Sequence, residues 1–149
     1  MIALNNLIFA IYMPRSIFNI NSDEQFTKIA LDTFKHQFNN NKIYRSFCDL
    51  LYIHPSDIKR IEEIPFLPIQ FFKSKKIVSS LDEIQETFTS SGTTGSITSK
   101  HFVTDIDLYK KSYLEGFAHF YGNIKDYVVL ALLPNYLERK GSSLVFMVD

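Results

Sequence analysis

The chain has 149 residues, 16 basic and 16 acidic side chains and a formal charge of zero. That length suits one ordinary domain or part of a larger one, and the charge balance lacks the basic surplus of a protein that grips a nucleic-acid backbone. The single cysteine, Cys48, rules out an internal disulfide and any multi-cysteine metal site. It fits a reducing cytoplasm, the expected location. The four histidines, His36, His54, His101 and His119, show no metal-ligand spacing, so no metal site is expected.

Residues Ile2 to Met13 are apolar apart from Asn5 and Asn6. The run is shorter than the about 20 residues that cross a bilayer, and no basic leader precedes it. Residues 1–21 therefore read as an N-terminal extension or a mis-assigned start, with the domain at 22–149. Ser22 and Gln25 have capping-box spacing. Phe26, Ile29, Ala30, Phe34 and Phe38 recur at helical spacing. Asn39-Asn40-Asn41 is expected to end this helix through a left-handed turn. A second helix places Ile43, Phe47, Leu50 and Leu51 on one face, and His54-Pro55-Ser56-Asp57 opens a short third turn. Cys48, beside Phe47 and Leu51, reads as a core residue.

Two prolines, Pro65 and Pro68, favour an extended path through Ile64–Pro68. Ile69–Phe72 and Lys76–Val78 then read as short strands, on the border between a helical cap and a sheet-containing body. Glu86–Thr89 and Lys100–Val103 read as strands on either side of a Ser/Thr/Gly loop. Thr104 and Asp107 are spaced as a cap for a helix carrying Ile106, Tyr109, Tyr113, Phe117 and Phe120 on one side, with Gly122 to end it. Tyr127–Leu133 reads as a strand buried on both faces, Asn135–Lys140 as a polar loop, and Ser142 as the cap of a last helix. No stop signal closes that helix, so the chain is expected to continue beyond Asp149.

The chemistry concentrates in Ser90-Ser91-Gly92-Thr93-Thr94-Gly95, which holds two of only 5 glycines. Glycine lets backbone approach a ligand closely, and successive amides in such a loop form a concave nest for an anion. Ser90, Ser91, Thr93 and Thr94 add hydroxyl donors of small bulk. Ser96 follows Gly95, so the Walker pattern with its lysine is absent. Composition alone leaves two readings: a flexible hairpin turn, or a cradle for a polyphosphate.

Phe88–Gly95 resembles the phosphate loop of the adenylate-forming superfamily. With Ile64–Lys73 before it and Asp126–Arg139 after it, the order is similar to the acyl-protein synthetase (LuxE type) branch, related to phenylacetate–CoA ligases. The resemblance runs from roughly Ser22 to the end and covers only the amino-terminal part of that family's length. It implies an α/β fold, with a helical cap leading into part of the mixed-sheet large domain of an adenylate-forming enzyme. It also implies ATP and Mg²⁺ as cofactors, a carboxylic and most simply fatty acid as substrate, and a thiol or protein as acyl acceptor, with no nucleic acid and no membrane span. Ser90, Ser91, Gly92, Thr93, Thr94 and Gly95 would hold the phosphates, with Lys100 the first basic residue after the loop. Many superfamily members place a Pro-Lys pair directly after the last glycine; here Ser96–Ser99 intervene. Pro134 and Tyr136 would lie on the substrate side of a core strand. The catalytic residues, including the adenine motif, the metal-binding acid, a late lysine and the acceptor cysteine, are expected beyond residue 149.

Each sharper reading has a plainer counterpart. His101 can meet a phosphate or sit half-buried on its strand. Lys73, Lys75 and Lys76 can neutralise an anion or lie on a solvated loop. The Tyr109/Tyr113/Phe117 stripe has core spacing and is not assigned as an acyl pocket. Two alternatives to the ligase stand beside it: a catalytically silent nucleotide-binding remnant, and an ATP-independent acyltransferase.

Overall fold

A computed structural model describes residues 17–79, 82–90, 97–131 and 141–149. They form two compact units, between which the chain passes more than once. One unit runs to Phe71 and includes 77–79; the other holds 72–76 and everything from Asp82.

The first unit is helical. Ser22 Oγ accepts from Gln25 N at 3.2 Å, which satisfies one of the orphan amides at the start of α1, Asp23–Asn40. The reciprocal arm of the expected capping box lands one residue early: Gln25 Oε1 accepts from Asn21 N at 3.1 Å. Asn41 serves two helices. Its amide donates to Gln37 O to close α1, and its side-chain oxygen accepts from Tyr44 N to open α2, Lys42–Leu50. Its backbone is extended (φ −104°, ψ 102°), so the helix ends by paired hydrogen bonds and not by the left-handed turn expected of an asparagine.

Phe34, Phe38, Tyr44 and Cys48 form the buried core of this unit, ringed by Phe47, Ile53, Ile58, Ile64 and Leu67. Phe34 meets Phe38 and Tyr44 edge-on at 6.5 and 6.1 Å, the arrangement favoured by aromatic quadrupoles. The inward face of α2 is thus Tyr44, Phe47 and Cys48. Leu50 and Leu51, expected on that face, point outward. The chain turns back at this point: Leu51 N and Ile53 N both donate to Cys48 O, and Tyr52 takes a positive φ of 57°. That reversal sends Ile53 inward in their place. Phe26, expected on the α1 face, is 51 % exposed.

Tyr44 Oη donates to Pro65 O at 2.6 Å and ties the extended double-proline segment to the core. The strand expected at Ile69–Phe72 is instead a helical turn, α3, Phe71–Ser74. Phe71 N donates to Pro68 O at 3.0 Å, and the fixed φ of a proline suits the start of such a turn. Lys76–Val78 is not a strand either. A strand needs a partner for its ladder, and the described residues contain only one pair: β1, Glu86–Thr89, and β2, Lys100–Val103.

These strands lie at the positions their sequence implies. They run antiparallel with Glu86 opposite Val103 and Thr89 opposite Lys100. α4, Ile106–Tyr121, follows. Its cap is Asp105, not Thr104: Asp105 Oδ1 accepts from Leu108 N at 2.8 Å, while Gln85 Oε1 takes Ile106 N at 2.8 Å. Gly122 ends α4 with φ +85°. α5, Ser143–Val148, starts at Ser142, whose Oγ accepts from Val145 N. The described part of the expected buried strand, residues 127–131, is not one. Val128 is 87 % and Leu130 90 % exposed, and no described strand pairs with it. No helix among the described residues is long and apolar enough to cross a membrane.

Candidate functional site: the root of the Ser/Thr/Gly loop

The alternation of a strand assigns the two faces of the hairpin. Phe88 and Val103 are buried. Phe88 packs against Tyr109 at 4.9 Å, Phe146 at 5.2 Å and its cross-strand partner His101 at 6.5 Å. This inner face anchors the hairpin on α4 and α5. Burial pushes the Tyr109 phenol above its ordinary range, with a hydrogen bond to Ser143 pulling the other way. The Tyr109 stripe is half-buried, with Tyr113 packed on Tyr109 and Phe117 on Tyr127; Phe120, expected on the same side, is exposed. His101 is exposed, with its ring at the edge of this aromatic cluster.

The other face carries Thr87 and Phe102, then Thr89 and Lys100. Lys76 Nζ lies 5.8 Å from the centroid of the Phe102 ring, within cation–π reach. All three lysines of the expected basic cluster, Lys73, Lys75 and Lys76, are exposed, and Lys76 reaches over Phe102. Lys100 is exposed and directly opposite Thr89, at the mouth of the loop.

Ser90 N donates to Ser99 O at 3.1 Å, and Ser99 N donates to Ser90 Oγ at 3.0 Å. The ladder thus continues one pair beyond the strands, and a side-chain oxygen closes it. On the other edge of β1, Thr89 N donates to Gly141 O at 2.8 Å. Gly141 has φ +86°, and a Cβ there would stand 3.1 Å from Thr87 O. Sequence reasoning passed over Gly141; a lone glycine between Lys140 and Ser142 was its only signal. Ser91, Gly92, Thr93, Thr94 and Gly95, with Pro134 and Tyr136, lie outside the described residues. Ser90 and Lys100 both lie at the loop end of the hairpin, on adjacent rungs of the ladder and, by the strand alternation, on opposite faces.

Asp82, Glu83, Ile84, Gln85, Thr104 and Asp105 line a hollow of about 710 Å³ at the opposite end of the hairpin. Among the described residues no group of three or more His, Cys, Asp or Glu side chains could hold a metal ion. Cys48 is a free thiol with no exposed surface, and burial raises its pKa. It is a core residue, as read from the sequence.

A family model described as acyl-protein synthetase, LuxE, matches residues 3–125. The chain belongs to the LuxE acyl-protein synthetase family. It is 36 % identical over 69 residues to a long-chain-fatty-acid–luciferin-component ligase of Photorhabdus luminescens, covering 46 % of this chain and 59 % of that protein. A protein of the same description from Aliivibrio fischeri is 37 % identical over 70 residues, 46 % of this chain and 18 % of the relative. One from Vibrio harveyi is 30 % identical over 79 residues, 52 % and 21 % respectively. Each match therefore spans less than two thirds of the relative's own length. No solved structure matches the chain. The LuxE match takes in the whole hairpin, its loop and α4, and stops before Gly141 and α5.

Proposed function

We propose that this LuxE-family chain is the amino-terminal part of an AMP-forming fatty-acid–protein ligase, and that the loop Ser90–Gly95 receives the β- and γ-phosphates of ATP. The observation that carries the reading is the combination of a hydroxyl- and glycine-rich loop with the stitched strand pair at its base. Ser90 Oγ and the Ser90–Ser99 backbone bond fix where the loop leaves the sheet. A fixed base lowers the cost of ordering the loop around a ligand. Lys100 and Lys76 share the outer face of the hairpin and add positive charge on that side.

In the proposed reaction a carboxylate oxygen of the fatty acid bonds to the α-phosphorus of ATP. The bond from that phosphorus to the bridging oxygen of the β-phosphate breaks, and pyrophosphate leaves with the electron pair. A thiol then displaces AMP from the acyl-adenylate and loses its proton. The loop's part is electrostatic: amides and hydroxyls positioned where charge gathers on the leaving pyrophosphate. Mg²⁺ bound to the nucleotide would share that charge; the chain supplies the loop donors and Lys100. We assign the large mixed-sheet domain, the phenylacetate–CoA ligase kinship, the cytoplasmic setting, Pro134 and Tyr136 on the acid side, and catalytic residues beyond residue 149 to the same reading. The short coverage of the relatives favours one second reading, in which these 149 residues alone bind nucleotide without turning it over.

The test is fatty-acid-dependent exchange of labelled pyrophosphate into ATP by a ligase that carries this chain at its amino end. Exchange that requires both acid and ATP, and that falls at least about tenfold in Gly95→Val, supports the reading. A folded enzyme with no exchange on any acid contradicts it.

A further inference from the structure

The helical unit contains a second candidate site, well away in sequence from the glycine loop. A cleft of about 420 Å³ opens between the last half of α1 and the turn that follows α2. One wall is Leu31, Lys35, Phe38 and Asn39, spaced as one face of a helix. The facing wall is His54, Pro55, Ser56, Ile58 and Lys59. Its size falls within the roughly 300–1,000 Å³ of small-molecule sites.

The lining divides by chemistry. Phe38 and Pro55 are buried, and Leu31 and Ile58 half-buried, so the floor is apolar. The rim carries one ammonium group from each wall, Lys35 and Lys59, and the lining contains no carboxylate. The acids close by are already engaged. Asp32 pairs with Lys28 at 2.7 Å and reaches Lys35 only at 3.8 Å, and Asp57 accepts from Ser56 Oγ at 3.0 Å. Lys59 Nζ donates to Ser56 O at 2.7 Å, which holds its charge against the turn.

His54 is also fixed. Its Nδ1 lies 2.9 Å from Ser56 Oγ and 3.2 Å from Ser56 N, which holds the ring against the turn. The ring stands edge-on to Phe38 at 5.3 Å. Arg45 lies 5.2 Å over the same Phe38 ring, outside the lining, and pairs with Asp49 at 3.9 Å. An apolar floor beneath a rim of cations is complementary to an acid with an aliphatic tail.

We propose that this cleft binds an amphipathic monocarboxylate, with the carboxylate between Lys35 and Lys59 and the tail along Leu31, Phe38, Pro55 and Ile58. It stands on the cleft alone and needs no nucleotide at the glycine loop. The full chain, without ATP, is titrated with sodium octanoate and followed by amide shifts in ¹H–¹⁵N spectra. Octanol and sodium phosphate serve as arms that carry only the tail or only the charge.

The expected result is saturable shifts grouped at residues 31–39 and 54–59, with octanoate binding more tightly than either arm. The pair Lys35→Glu, Lys59→Glu should weaken octanoate about fivefold or more. The milder pair Lys35→Gln, Lys59→Gln should show the same direction if the charge reversal disturbs folding. Shifts elsewhere, phosphate or octanol binding as tightly as octanoate, or unchanged affinity in both pairs would overturn the proposal.

Discussion

Gly141 and Gly122 hold nearly the same positive φ, +86° and +85°, in different surroundings: a Cβ at Gly141 meets Thr87 O at 3.1 Å, and one at Gly122 meets nothing within 4 Å. Both hold a positive φ that alanine rarely adopts, and Gly122, with ψ −153°, lies in a region essentially restricted to glycine. Gly141→Ala also crowds the backbone of β1 and strains the Thr89–Gly141 hydrogen bond. It should cost about 1–3 kcal/mol in urea unfolding and speed hydrogen exchange at Thr89; an unchanged Thr89 amide would mean that Gly141 does not brace the loop's base. The Tyr44–Cys48 pair gives a pH prediction. Burial raises both groups above their ordinary values of 10.0 and 9.0. The folded state holds these protons more tightly than the unfolded chain does. The resulting stability is complete below pH 9 and is lost as pH rises through the raised folded values. Unfolding midpoints measured from pH 8 to 11 should fall, and Tyr44→Phe should flatten part of that fall.

At the scale of elements, local hydrogen-bond chemistry was legible and partner-dependent structure was not. Ser22 and Ser142 cap the helices their positions announce, and β1 and β2 occupy their expected residues. Asp105 displaced Thr104 as a cap because its carboxylate reaches Leu108 N. Both residues suit the role by type, and only the backbone geometry decides. The misread strands at Ile69–Phe72 and in the described part, residues 127–131, of Tyr127–Leu133 share one cause. An apolar run reports a liking for burial, while a strand also requires a neighbouring strand. The hairpin yields two element-scale predictions. Ser90→Ala removes the acceptor of Ser99 N and should cost about 1 kcal/mol, read as faster hydrogen exchange at Ser99. Phe88→Ala empties the centre of the Tyr109–Phe146 cluster and should cost roughly 3–5 kcal/mol, read by chemical denaturation.

One unit is helical and holds the lysine-rimmed cleft; the other carries the hairpin whose two strands flank the proposed phosphate loop. The loop's composition was readable from residues 88–95 because glycines and hydroxyl side chains leave a direct mark on sequence, and the LuxE family from their order with Ile64–Lys73 and Asp126–Arg139. Gly141, the seating of Lys76 on Phe102 and the lysine-rimmed cleft were not readable. Each depends on contacts between residues distant in the chain. The proposed ligase reaction requires, before any chemistry, that Gly92 and Gly95 allow the loop to close around a polyphosphate. Calorimetric titration of Mg²⁺-ATP into the 149-residue chain and its Gly95→Val variant tests that most directly. The account predicts saturable one-site binding by the original chain and loss of that binding in a variant that remains folded. A folded chain that takes up no nucleotide, or a variant that binds as tightly as the original, would contradict it.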